Sequence, residues 1–105
     1  MKSTPIQDDL VVQVELDFEP LIPKFLAYRK EEVMAMREAV TRQDFEATGR
    51  IAHGMKGAGN IYGFSRIVAF ASTIESASKT GSTASITTNL ESLAIYLERV
   101  QVVFA

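Results

Sequence analysis

His53 is the only histidine in this chain of 105 residues. It stands in the stretch AHGMKGAGNIYGF, residues 52–64, with Lys56 three residues on and glycines at 54, 57, 59 and 63. An imidazole can serve near neutral pH as a nucleophile, a proton carrier or a metal ligand. A metal centre lacks co-ligands: the chain has no cysteine, and no carboxylate beyond Glu46 stands at helical spacing from the histidine. A Ser-His-Asp hydrolase lacks a nucleophile elbow and an evident oxyanion hole. What remains is attack by the imidazole on phosphorus, with the Lys56 ammonium neutralising charge on the transferred group.

The glycines bear on the same point. In a helix each costs about 1 kcal/mol relative to alanine. Gly49, Gly54, Gly57 and Gly59 therefore cost several kcal/mol out of a total stability of roughly 5 to 15 kcal/mol. On a wheel of about 100° per residue, His53 falls roughly 130° from the centre of the apolar stripe, facing solvent or a partner. Its neighbours one turn away on its own row are Gly49 and Gly57, and Arg50 and Lys56 place cations at i−3 and i+3. The imidazole is thus uncrowded and in a positive field, open to a phosphoryl group or another protein's backbone. Gly59 lies on the stripe itself, where it permits close helix packing.

Four amphipathic segments position this stretch. Pro20 and Pro23 suit a helix entry, and Ile22, Phe25, Leu26, Val33, Met36 and Val40 form the stripe of a first helix reaching about Gln43. Asp44 is a suitable N-cap for a second, with Phe45, Thr48, Ile51, Ala52, Met55, Gly59 and Tyr62 on its stripe. Gly63 ends it. A third carries Phe64, Ile67, Val68, Ala71, Ile74 and Ser78 and closes at Lys79 and Gly81. After a connector or ragged helix start over 82–88, a fourth is expected to run from Ile86 through Leu90, Leu93, Leu97 and Val100 to Phe104. The expected fold is all-α, an antiparallel four-helix bundle over residues 20–105. Residues 1–19 form an N-terminal arm. Within it Leu10, Val12, Val14, Leu16 and Phe18 alternate with polar residues, the pattern of an extended segment lying on the domain or pairing with another chain.

Composition narrows the partners. A net charge of −2 and a pI near 5.4 supply no basic patch for nucleic acid or an anionic membrane. MKSTPIQDDL has no apolar leader core, and no run is long enough to cross a bilayer. The expectation is a cytoplasmic monomer whose fold is held by packing without disulfides.

AHGMKGAGNIYGF resembles the signature of histidine-containing phosphotransfer (HPt) domains, in which His-x-x-Lys-Gly is followed by a glycine six positions after the first: here His53, Lys56, Gly57 and Gly63. LIPKFLAYRKEEV and DFEATGRIAHGMKG are similar to the same family's preceding helices, and the likeness extends from about residue 20 to the C-terminus. The resemblance implies a phosphoryl carrier in a two-component phosphorelay, without kinase or phosphatase activity of its own. His53 would accept the phosphoryl group from an aspartyl phosphate on a receiver domain and pass it to another receiver. Lys56 would stabilise the phosphoryl group, Gly57 admit it and Gly63 end the helix. Gly49, Arg50, Gly54 and Gly63 would meet the docked receiver, with Ile61 and Tyr62 as further flanking candidates. Phe64 is expected in the core.

Family members often place a glutamine about 22 residues after the histidine to hold the ring; here that position is Glu75. Either Glu75 is a solvated charge between Ile74 and Ser76, or it accepts a hydrogen bond from Nδ1–H and leaves Nε2 as the nucleophile. Mg²⁺ and the acceptor aspartate would belong to the receiver, so no cofactor is expected on this chain. Partners would be receiver domains of response regulators and hybrid histidine kinases. Two alternatives compete: a non-catalytic helical adaptor that uses the glycine-lined face only for docking, and the phosphotransfer domain of a chemotaxis-type kinase. Intact His53 and Lys56 argue against the first, and the lack of an ATP-binding motif in this chain against the second.

Overall fold

The computed structural model describes residues 10–105. The chain runs through β1 (Val11–Val14), a 3-10 stretch (Leu16–Leu21), α1 (Ile22–Thr41), α2 (Phe45–Tyr62), α3 (Ser65–Thr80), α4 (Thr83–Arg99) and β2 (Gln101–Phe104). The first nine residues of the expected arm lie outside the described residues. Connections of two or three residues make successive helices antiparallel neighbours, and α1 also packs on α4 to close the four-helix bundle. Among the described residues no helix is long and apolar enough to cross a membrane.

The helix boundaries follow from local chemistry. Pro23 sits in the first turn of α1, where no amide donor is needed. Asp44 caps α2 through a 3.0 Å hydrogen bond from the Ala47 amide to its carboxylate. Gly63 at φ 81° and Gly81 at φ 69° end α2 and α3 in the left-handed conformation. Helix α4 starts at Thr83, so most of the expected 82–88 connector is helical.

Met36, Met55, Phe64, Ile67, Ile74, Ile86, Leu90 and Leu93 fill the core, drawn from all four helices and the α2–α3 turn. At one end of the bundle Tyr62 makes edge-to-face contacts with Phe18 and Phe25, both at 5.1 Å between ring centroids. Tyr62 therefore packs inward, while Ile61 beside it is exposed. Phe64 is buried as expected.

Two sequence expectations are corrected at the termini. The fourth helix stops at Arg99 and does not continue to Phe104, because Val100 is extended (ψ 137°) and residues 101–104 form β2. The alternating segment over 10–18 is a strand only from Val11 to Val14, after which the chain turns into the 3-10 stretch. The two strands pair in parallel, Val11 opposite Gln101 through Val14 opposite Phe104. Val12 and Val14 are buried beneath the sheet, and Val100, Val102 and Phe104 pack on the core. A strand there meets the same apolar demand as a fourth-helix extension and also satisfies the backbone of β1.

Candidate functional site

Helices α2 and α3 form an antiparallel hairpin about the Gly63 turn, so residues nearly equidistant from it face one another. Gly59 lies against Val68, where a Cβ would come within 3.0 Å of Val68 Cγ2. Further from the turn, Gly49 lies against Ser78 and Phe45 against Gly81. The same pairing sets His53 opposite Glu75. The Gly59 contact is thus the close approach that brings the two helices together, as its place on the stripe suggested.

His53 projects from the middle of α2 with its side chain 70% exposed, whereas Glu75 is 18% exposed. His53 Nδ1 lies 3.0 Å from Glu75 Oε2, and Lys56 Nζ donates to Glu75 Oε1 at 2.8 Å. One carboxylate therefore joins the histidine to the lysine. The Lys56 ammonium, partly opposed by desolvation and assisted by His53, holds the Glu75 carboxyl below its ordinary value, so it is ionised at neutral pH. An ionised carboxylate can only accept hydrogen bonds. Nδ1 must then be the protonated ring nitrogen, and in the neutral imidazole the lone pair falls on Nε2.

Gly57, one turn beyond His53, opens on empty space, with no atom within 4 Å of an added Cβ, and so does Gly54. At neither position does packing require a glycine. Beside the imidazole, a groove of about 480 Å³ runs between the first half of α2 and the end of α3, lined by Gly49, Arg50, His53 and Glu75 among others. A second groove, between α1 and α2, contains Gly54, Tyr28 and again Arg50. Arg50 thus borders both grooves. Gly63 lines neither and serves as the helix cap.

Sequence reasoning did not select Phe45, Ser78 and Lys79, which line the first groove, or Tyr28, which lines the second and is half exposed. The signal was available for the first three, since folding the hairpin at Gly63 sets α2 residues 45–50 against the end of α3. Tyr28 depends on the α1–α2 packing, which no local pattern reports. Among the described residues no three His, Asp or Glu side chains gather as a metal site would require.

Among known protein families, the model for the Hpt domain matches residues 21–102. No curated protein and no solved structure matches the chain.

Proposed function

This chain belongs to the Hpt domain family, and from that premise we propose that it is a phosphorelay carrier that accepts a phosphoryl group on His53 Nε2 from a receiver-domain aspartyl phosphate and returns it to another receiver. The observation that supports this reading is the anchoring of an otherwise exposed imidazole at Nδ1 by Glu75, itself braced by Lys56.

The Nε2 lone pair attacks phosphorus in line with the bond to the aspartyl oxygen. The N–P bond forms as the P–O bond breaks, and the aspartate leaves as a carboxylate. The state between is loose and metaphosphate-like, so placement and charge neutralisation supply most of the rate. Glu75 keeps Nδ1–H donated throughout and offsets the positive charge that the ring acquires on phosphorylation. Lys56 supplies positive charge to the phosphoryl oxygens, the face of Gly57 gives them room, and the grooves that share Arg50 seat the receiver. The divalent cation of the reaction belongs to the receiver. Transfer in the other direction uses the same groups in reverse.

The test is incubation with a phosphorylated receiver, followed by assay for acid-labile, base-stable phosphate on the wild type and on His53→Gln. Label on the wild type alone is expected. Label on the variant would overturn the assignment of His53, and an unlabelled wild type with every receiver tried would favour the docking adaptor.

A further inference from the structure

The sheet formed by β1 and β2 has only two strands among the described residues, and no strand pairs with the far edge of β2. In a parallel ladder, the N–H and C=O of one residue point to the same neighbour and those of the next residue point away. The Ala105 amide donates to Val14 O, and Ala105 O accepts from the Leu16 amide, both at 3.1 Å. The alternation therefore turns the backbone groups of Gln101 and Val103 toward β1 and those of Val102 and Phe104 toward the open edge. Isolated parallel pairs are weak, and unpaired edges of this kind template further pairing unless charge or proline blunts them.

The two edges differ in that protection. β1 is followed by Glu15 and Asp17, both exposed, which set like charges against a second copy. From Val100 to Ala105 there is no charged side chain and no proline, and Val103 is 51% exposed. The open pattern of β2 is also self-complementary. In an antiparallel pair about a two-fold axis at Val103, each Val102 faces a partner Phe104 with both hydrogen bonds formed, four in all. The two Val103 residues then meet as a non-hydrogen-bonded pair, with Cα atoms about 4.5 Å apart. In such a pair the backbone groups point away from the new partner, which is where those of Val103 already point. We infer that the open edge of β2 pairs antiparallel with β2 of a second copy of this chain, making a four-stranded sheet across a two-fold axis.

This replaces the monomer expected from sequence with a monomer–dimer equilibrium. Four hydrogen bonds and one valine contact make a patch smaller than a standard interface of roughly 1,200 Å² or more, so a weak dimer is expected, with a dissociation constant on the order of 10⁻⁵ to 10⁻⁴ M.

Sedimentation equilibrium of the full chain from about 5 to about 500 μM spans that range. The average mass is expected to rise from the monomer's 11.6 kDa toward twice that value. Hydrogen exchange on the same samples should slow with concentration at the amides of Val102 and Phe104, with no comparable change at Gln101 and Val103. Val103→Lys sets two ammonium groups face to face and is expected to raise the dissociation constant by up to about fivefold. Mixing it with Val103→Glu should restore the association that each weakens alone. Circular dichroism at the helix band confirms that each variant is folded. A wild type monomeric at every concentration overturns the inference, as does a dimer unaffected by Val103→Lys but abolished by Val11→Lys on the other strand.

Discussion

Alanine at two glycines of the same helix, two residues apart, should stabilise the protein at one and not at the other. An alanine Cβ at residue 57 meets nothing within 4 Å, so Gly57→Ala gains helix propensity without a clash. The gain is about 0.5 to 1 kcal/mol, which for a domain of this size raises the melting temperature by roughly 2 to 8 °C. At residue 59 the same Cβ lies 3.0 Å from Val68 Cγ2 and 3.3 Å from Ile67 Cγ2, on side chains packed between helices. Overpacking of that kind costs about 1 to 3 kcal/mol, so Gly59→Ala is expected to be neutral to about 2 kcal/mol destabilising after its own propensity gain. Thermal unfolding followed by circular dichroism reads both. Phosphoryl transfer from a phosphorylated receiver separates them again. The more stable Gly57→Ala should transfer more slowly, by up to about 10²-fold, since a displacement near 1 Å at the reacting centre is enough for that. Gly59→Ala should transfer normally at temperatures where it is folded. If Gly57→Ala were destabilising, or more stable and fully active, the reading of Gly57 as clearance for the phosphoryl group would be refuted.

Glu75→Gln keeps an acceptor for Nδ1–H and should preserve the Nε2 lone-pair tautomer by ¹⁵N NMR, whereas Glu75→Ala should lose it and slow phosphoryl acceptance on the order of tenfold. Because Lys56 holds the Glu75 carboxyl below its ordinary 4.5, the folded state binds fewer protons there than the unfolded chain. The stabilisation is complete above about pH 4.5 and disappears as pH falls through the lowered value. The melting-temperature gap between wild type and Glu75→Gln should therefore shrink below that pH, and a gap constant down to pH 3 would count against the ion pair. Asp44→Ala removes the acceptor of the Ala47 amide and is expected to cost about 1 kcal/mol, read as a lower urea midpoint at unchanged slope.

Much of the bundle was legible because its signals are local. Asp44 starts α2 as a cap, Gly63 and Gly81 end α2 and α3 at positive φ, and the stripes through Met55, Ile74 and Leu93 are the buried ones. The exposure of His53 also followed from helical geometry, as did the absence of side chains at residues 49 and 57 on its row. The sequence alone therefore determined a four-helix bundle bearing one uncrowded histidine, with Lys56 and Arg50 flanking it.

Tertiary structure decided what depends on contacts between distant segments. Glu75 could have been a solvated charge; the hairpin about Gly63 places it within hydrogen-bond distance of both His53 Nδ1 and Lys56 Nζ. Residues 100–104 fit a helical stripe and a strand equally well, since valine and phenylalanine at those spacings can bury themselves either way. The choice fell to β1, ninety residues before β2 in the paired register, whose backbone groups needed a partner. Periodicity records which residues seek the core, but an unsatisfied strand edge elsewhere in the chain leaves no mark on the segment that will cover it.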